Sequence, residues 1–179
     1  MKRYIALLRG INISGKNKIA MADLKKGFEG LSFQDVKTYL NSGNVIFSEE
    51  ERDTGMMAER IGKMIKERFG LDIPVFVTER ETLRDILDHA PAWWGNGKKE
   101  IYDNLIFILP PTTFFEVYER IGEPKEGLEK IMNYRDVIFW SFDLKHYQKT
   151  NWWPRTASPD IGMKLTIRTA NTVRKIITI

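Results

Sequence analysis

A predicted β-hairpin near residue 42 constrains the fold more than any other feature of the sequence. Two β-rich runs, Val36–Leu40 and Asn44–Phe47, are separated only by Asn41-Ser-Gly43. This short connection is typical of an antiparallel hairpin, because glycine accepts the positive φ that a tight turn requires. A hairpin at this point contradicts a purely parallel βαβ core, whose neighbouring strands need long crossover connections.

The elements around the hairpin follow from hydrophobic periodicity. Tyr4–Leu8 is a continuous apolar run, as expected of a strand buried on both faces. Apolar residues recur at helical spacing over 21–31 and 57–69, and Gly70 is expected to end the second helix. A short strand follows at 74–78. In chain order this half reads β-α-β-β-α-β with an added helix, which is the ferredoxin-like (split βαβ) arrangement.

Three helix starts carry capping signals. Thr78 with Glu81, and Thr113 with Glu116, have the spacing of a capping box, in which a hydroxyl and a carboxylate satisfy each other's backbone N–H groups. Asp53 ends an acidic run and is expected to cap the second helix. The run itself, residues 49–53, is interpreted as a solvated loop, with divalent-cation binding as the alternative.

The second half of the chain repeats the order of the first. Strands are predicted near residues 105–109, 127–133, 136–142 and 164–167. A helix opens at Thr113, and a C-terminal helix carries Val173 and Ile176. The segment 145–163, rich in Trp and Pro, is predicted to be irregular.

We therefore predict an α+β protein built from two similar ferredoxin-like halves packed together. The N-terminal half is residues 1–90, a breaker-rich linker is residues 91–103, and the C-terminal half is residues 104–179.

Composition limits the class of protein. The 179 residues are 42% apolar, enough for a sizeable core, and no apolar run approaches the roughly 18 residues that a membrane span needs. Zero cysteines exclude disulfides and thiolate metal sites and fit a reducing compartment. We expect a cytoplasmic protein with no membrane partner.

Positive charge is concentrated at the two ends of the chain. Residues 1–20 carry +5 and residues 145–179 carry +6, which leaves −7 for residues 21–144. If the fold brings the ends together, they form a positive face suited to an anion. The alternative is that the basic ends of strands are simply solvated.

The loop after the first strand, Arg9–Lys18, is basic and punctuated by glycine. Gly10 and Gly15-Lys16 come close to the phosphate-loop pattern, but the next residue is Asn17, which lacks the hydroxyl that such a loop places on Mg²⁺. A phosphate loop also runs directly into its helix, whereas here the helix is expected four or five residues later. A nucleoside-triphosphatase loop is therefore rejected.

Two interpretations of this loop stay open. Arg9, Lys16 and Lys18 next to two glycines suit a general anion site for a phosphate, a carboxylate or a nucleic-acid backbone. Alternatively the loop is a structural crossover in which Asn12 and neighbouring polar side chains make turn hydrogen bonds.

Four blocks of this region closely resemble a known family. Tyr4–Ile19, Met21–Leu24, Val36–Tyr39 and Asn41–Phe47 are similar to the opening of a widespread bacterial family catalogued as domain of unknown function 1697. The resemblance implies a cytosolic protein with ferredoxin-like halves, and it implies no activity.

The family also has a C-terminal pattern of Thr, any residue, Arg, Asn, Trp, any residue, Thr. Thr166, Arg168 and Thr172 fit this pattern, whereas Thr169 and Ala170 replace the Asn and Trp. The resemblance selects the following candidate ligand-binding residues: Arg9, Gly10, Asn12, Gly15, Lys16, Ser42, Gly43, Asn44 and Arg168.

Other chemistry has little support in the sequence. The sequence has no cysteine and no Gly-x-Ser-x-Gly motif, so nucleophilic catalysis is poorly supported. No cluster of His, Asp and Glu has metal-ligand spacing, and we expect neither a metal nor a cofactor. In Lys145–Arg155, basic and aromatic side chains are interleaved, as they are on surfaces that stack nucleobases and hold phosphates. Packing of Trp152 and Trp153 in a core is the favoured interpretation of that segment.

Three classes of function remain. The first is a binding module for a phosphate-bearing ligand, either a nucleotide or RNA, at the loop after the first strand. The second is a small enzyme that holds an anionic substrate there, with a carboxylate as general acid or base. The third is a structural or partner-binding protein.

Overall fold

Eight strands form two four-stranded antiparallel sheets within residues 1–50 and 53–179, the parts of the chain that the computed structural model describes. By its internal contacts the chain divides into two units, Met1–Arg84 with Ile176–Ile179, and Asp85–Lys175. The domain boundaries expected from the sequence, with a linker at 91–103, stay a prediction. No helix in the described ranges is long and apolar enough to cross a membrane.

The first unit has the element order predicted from periodicity. Its elements are β1 (Lys2–Leu8), α1 (Met21–Gly30), β2 (Gln34–Tyr39), β3 (Asn44–Glu49), α2 (Thr54–Phe69), β4 (Val75–Glu79) and the start of α3 (Arg80–Asp88). The sheet order is β2-β3-β1-β4, with every neighbouring pair antiparallel. The predicted hairpin is confirmed, because Tyr39 pairs with Asn44 across the turn.

The core of the first unit lies between one face of this sheet and helices α1 and α2. Alternate β1 residues, Tyr4, Ala6 and Leu8, are fully buried in it, as the period of a strand requires. Phe28 of α1 and Ile61 of α2 are buried against them. A fully buried Leu, Ile or Phe side chain contributes about 1.5–3 kcal/mol, so the packing of Leu8, Phe28 and Ile61 holds β1 and α1, the two elements that the loop connects.

The helix ends can be compared with the capping signals predicted from the sequence. The Asp53 side chain accepts the Met56 N–H at 3.0 Å, and Gly70 ends α2 with a φ of 68°, so both α2 signals are confirmed. Thr113 and Glu116 form a complete capping box at the start of α4. The third prediction is wrong, because Thr78 is a residue of β4 paired with Ile5 and the helix begins only at Arg80.

The second unit repeats the strand order with a different connection before its last strand. Its elements after α3 are β5 (Ile101–Ile108), α4 (Phe114–Ile121), β6 (Glu129–Tyr134), β7 (Val137–Asp143), α5 (Trp152–Thr156), β8 (Leu165–Thr169) and α6 (Ala170–Ile176). The sheet order is β6-β7-β5-β8, again antiparallel. The segment expected to be irregular holds α5 between two 3₁₀ helices at 144–149 and 161–164.

The two adjacent tryptophans of that segment have different roles. Trp152 is fully buried, and its indole N–H donates to the Gly122 carbonyl at 3.1 Å. Trp153 remains 39% exposed and contacts the rings of Phe142 and Tyr147 edge-on. The packing interpretation is therefore confirmed for Trp152, whereas Trp153 lies at the surface.

Candidate functional site

The loop between β1 and α1 folds into a six-residue miniature hairpin. The Asn12 N–H donates to the Asn17 carbonyl at 3.1 Å, and the Lys16 N–H donates to the Ile13 carbonyl at 2.9 Å. Ser14 and Gly15, which lie between Ile13 and Lys16, have φ values of 50° and 76°. Positive φ at both central residues is the signature of a type I′ turn, whose twist suits a tight hairpin.

The side chain of Asn12 ties this hairpin to its surroundings. Its amide nitrogen donates to the carbonyls of Ile19 and Asn41, both at 2.9 Å, and its oxygen accepts the Ile19 N–H at 2.9 Å. The Asn17 amide donates to the Gly10 carbonyl at 2.9 Å. The loop is thus held to the start of α1 and to the turn between β2 and β3. These are the turn hydrogen bonds expected of a structural crossover.

The β2–β3 turn packs closely against the end of β1. Gly43 has a φ of 83°, and its carbonyl accepts the Leu8 N–H at 2.9 Å. A Cβ atom at this position would lie 2.7 Å from the Leu8 Cβ and 2.9 Å from the Ile11 Cδ1. Only glycine fits here without displacing its neighbours, so this part of the family pattern has a structural explanation.

Asn44 and Ser42 complete the same turn. Asn44 is fully buried at the start of β3, and its amide donates to the Tyr39 carbonyl at 2.8 Å and to the Ser42 hydroxyl at 3.0 Å. Asn44 therefore closes the hairpin from inside, because it bridges the last residue of β2 and the turn.

The loop presents its positive charge in two ways. Lys16 and Lys18 are exposed, and within the described ranges neither ammonium group forms an ion pair. Arg9 is half buried, and desolvation by this burial lowers the pKa of its guanidinium below the ordinary value. The N–H groups of Ser14 and Gly15, at the exposed tip, have no acceptor in the described part of the chain. The loop therefore offers two exposed cations and two open backbone donors.

A shallow depression of about 390 Å³ lies beside the loop, at the N-terminus of α1. Its lining residues are Asn12, Gly15, Lys18, Ile19, Ala20, Met21 and Asn41. None of them is acidic, so a bound anion would meet no carboxylate on these walls. Helix α1 lacks a side-chain cap at Ala20, which leaves its first-turn N–H groups without a side-chain acceptor there.

Eight of the nine candidate residues belong to this one region of the first unit. Arg168 belongs to the second unit, on β8, where it is buried and donates to the Thr166 hydroxyl at 3.0 Å and to the Ile167 carbonyl at 2.8 Å. Two lining residues, Lys18 and Asn41, are not among the nine residues that the resemblance selects. Lys18 was part of the general anion site expected from the basic loop, and the hairpin signal was the sequence feature that could have identified Asn41.

The structure bears on two further interpretations of the sequence, namely the rejected phosphate loop and the divalent-cation alternative for residues 49–53. Helix α1 begins at Met21, five residues after Lys16, so the loop does not run into its helix as a phosphate loop does. Of the acidic run at 49–53, residues 51 and 52 lie outside the described residues. Within residues 1–50 and 53–179, no group of three or more His, Cys, Asp or Glu side chains could hold a metal ion.

Comparisons with known proteins agree on a family and a fold. The family described as protein of unknown function (DUF1697) matches residues 1–139. A conserved bacterial protein from Streptococcus pneumoniae has a similar solved structure, with a TM-score of 0.85 and 26% sequence identity over 99% of this chain and 97% of that chain. No curated protein matches the chain.

Proposed function

Since the chain belongs to this family of proteins of unknown function, we propose from its own geometry that it binds a phosphate-bearing ligand at the loop between β1 and α1. One observation carries the proposal: Lys16 ends the tight turn and Lys18 lines a depression without carboxylates beside it, and neither lysine has an acidic partner in the described ranges. Unpaired cations and open N–H groups at one place are the recognition elements that phosphates use.

The shape of the depression favours RNA over a free nucleotide. A nucleotide is normally held in a cleft that encloses most of its surface. The depression here is shallow, and the two lysines at it are exposed, so an extended polyanion can make phosphate contacts that need no enclosure. We therefore place single-stranded RNA first and a nucleotide second.

Binding is favoured over catalysis at this loop. A small enzyme acting on an anion would need a general acid or base within hydrogen-bond reach of the substrate. The walls of the depression supply amide, ammonium and apolar groups only. The third class of function, a structural or partner-binding protein, fits the internal hydrogen bonds of Asn12 and would leave the two lysines without a role.

Fluorescence anisotropy with a labelled single-stranded RNA of about 12 nucleotides tests the proposal. The variant Lys16→Ala/Lys18→Ala should bind at least about tenfold more weakly, and its salt slope should fall by about 1.4, as two lost phosphate contacts require. The control Lys25→Ala/Lys26→Ala removes the same charge from the exposed face of α1.

Equal losses of RNA affinity in the loop variant and the helix variant would mean that net charge, and not the loop, governs binding. Unchanged affinity in the loop variant would reject the site. Displacement of the RNA by ATP at similar phosphate concentration would favour the nucleotide.

Two further assignments are part of the proposal. We assign each unit to the ferredoxin-like arrangement, which the strand orders β2-β3-β1-β4 and β6-β7-β5-β8 support. We also propose a cytoplasmic location, which cell fractionation would test.

A further inference from the structure

A second concave site lies in the second unit and is independent of the loop. It is a cavity of about 230 Å³ over one end of the sheet, roofed by the segment that carries Trp93 and Lys98. Its size is below the range of about 300–1,000 Å³ that is common for drug-sized ligands, so it suits a molecule with few heavy atoms.

The floor of the cavity is set by strand register. Asp103 of β5 lies opposite Ser141 of β7, and Ser141 lies opposite Lys130 of β6. The three side chains therefore stand in one row on one face of the sheet. Because each strand step is about 4.8 Å, Asp103 and Lys130 begin roughly 10 Å apart at the backbone.

The carboxylate of Asp103 is fixed by its neighbour. Ser141 is buried, and its hydroxyl donates a hydrogen bond to the Asp103 Oδ1. The second oxygen, Oδ2, has no donor within the described ranges, and Asp103 forms no ion pair there. A positioned carboxylate with one open oxygen in a cavity is a receptor for a hydrogen-bonding cation.

Two ammonium groups line the same cavity. Lys130 continues the row, and Lys98 lies on the roof. In the described part of the chain neither ammonium group has an acidic partner. The flexible four-carbon stem of lysine lets either group approach a bound carboxylate.

The rest of the lining is mixed. Trp93, Ile101 and Leu128 contribute apolar surface, and Asn96, Glu129 and Asp143 also line the cavity. The Glu129 carboxylate accepts the Trp140 indole N–H and the Asp143 Oδ1 accepts the His146 N–H, so both already have donors within the protein. The cavity thus combines the Asp103 carboxylate, an ammonium pair and apolar surface within the space of a small molecule.

We propose that this cavity binds a free α-amino acid with an apolar side chain. The ammonium group of the ligand meets Asp103, its carboxylate meets Lys130 and Lys98, and its side chain packs against Trp93, Ile101 and Leu128. A purely anionic or purely cationic ligand would leave one of the two charged walls without a complement, whereas a zwitterion satisfies both.

Isothermal titration calorimetry of the full chain with L-leucine tests this proposal. Two analogues dissect the ligand: isoamylamine lacks the carboxylate, and 4-methylpentanoate lacks the ammonium group. Each should bind at least about tenfold more weakly than L-leucine, because each loses a charged hydrogen bond worth about 1.5–3 kcal/mol. No heat of binding with L-leucine up to about 10 mM, or equal affinity of all three compounds, would overturn the proposal.

A second set of titrations uses variants of residues in the cavity. Asp103→Asn keeps an acceptor for the Ser141 hydroxyl and should weaken L-leucine binding at least about tenfold. Lys130→Gln should do the same. The matched controls Glu100→Gln and Lys99→Gln change exposed neighbours outside this cavity and should leave the affinity unchanged. If the Asp103 variant binds L-leucine like the wild type, the assignment is wrong.

The loop variant separates this site from the proposed RNA site. Lys16→Ala/Lys18→Ala should lose RNA affinity and keep the L-leucine affinity, whereas Asp103→Asn should show the reverse pattern. Failure of either proposal is therefore visible without reference to the other.

Discussion

Glu129 is a buried carboxylate that joins three segments of the second unit, and its removal should be one of the most destabilising substitutions there. The side chain is only 6% exposed. It accepts the Lys125 N–H at 2.8 Å, the Asn151 N–H at 2.6 Å and the Trp140 indole N–H at 3.1 Å, with the Trp152 N–H at 3.3 Å. It thereby connects the turn before β6, strand β7 and the start of α5.

The magnitude follows from these donors. A hydrogen bond to a charged group contributes about 1.5–3 kcal/mol, but burying the carboxylate without a cationic partner offsets part of that gain. Glu129→Ala leaves buried donors without an acceptor, so we expect a loss of about 3–5 kcal/mol in the free energy of unfolding. Glu129→Gln keeps one acceptor oxygen but turns an NH₂ group toward donors, and we expect a loss of about 2–3 kcal/mol.

Tryptophan fluorescence is a specific assay for this prediction. All five tryptophans, Trp93, Trp94, Trp140, Trp152 and Trp153, lie in the second unit. Urea unfolding followed by their emission therefore reports on that unit even if the two units unfold in separate transitions.

The control is Glu126→Ala, three residues away on the exposed turn, which should change the free energy of unfolding by less than about 0.5 kcal/mol. If Glu129→Ala and Glu126→Ala have the same unfolding midpoint and slope, the carboxylate is not the connection described here. A Gln variant as stable as the wild type would show that side-chain size, and not the second acceptor oxygen, determines the effect.

Two further predictions concern local geometry. Gly43→Ala should destabilise the first unit by about 2–4 kcal/mol, because Gly43 has a positive φ and an added Cβ would overpack against Leu8. Gly10→Ala should cost only about 1 kcal/mol, because Gly10 has a φ of 70° but open space around it. Hydrogen exchange of the β1 amides measures both losses of stability, and equal losses would refute the packing argument. The pKa of Glu116 is lowered because the Thr113 N–H and hydroxyl donate to it, so its stabilisation is present above the ordinary pKa of Glu and is lost as pH falls through the lowered value. Glu116→Gln should therefore melt below wild type at pH 7 and approach it in acid, and a gap that stays constant down to about pH 3 would contradict this linkage.

Local sequence signals predicted most elements because those elements have local causes. Helix α2 begins at the Asp53 cap and ends at Gly70, and the capping box at Thr113 needs only residues three apart. The failure at Thr78 has a tertiary cause. Its spacing to Glu81 is that of a capping box, but pairing with Ile5 extends β4 through it, and strand pairing outweighs a cap of about 1 kcal/mol.

The cavity over the second sheet could not be predicted for a related reason. Asp103, Lys130 and Ser141 come from three strands, and only the register across β5, β7 and β6 places them in one row. A shift of one residue in either pairing would turn a member to the other face. Nothing in the local sequence specifies that register, so the residues carried no signal, whereas the contiguous loop at Arg9–Lys18 did.

The loop between β1 and α1 has a backbone that few sequences tolerate, and this bears on its role. Gly10, Asn12, Ser14, Gly15 and Asn17 all have positive φ. For the three non-glycine residues this conformation is sparsely populated, and it persists only where the surroundings over-determine it, as the three hydrogen bonds of the Asn12 side chain do. These hydrogen bonds also fit a structural crossover, which leaves the two exposed lysines without a role. A loop that presents the lysines to a phosphate, as we propose, gains from this fixed shape, because the backbone order is established before binding and need not be acquired from the ligand.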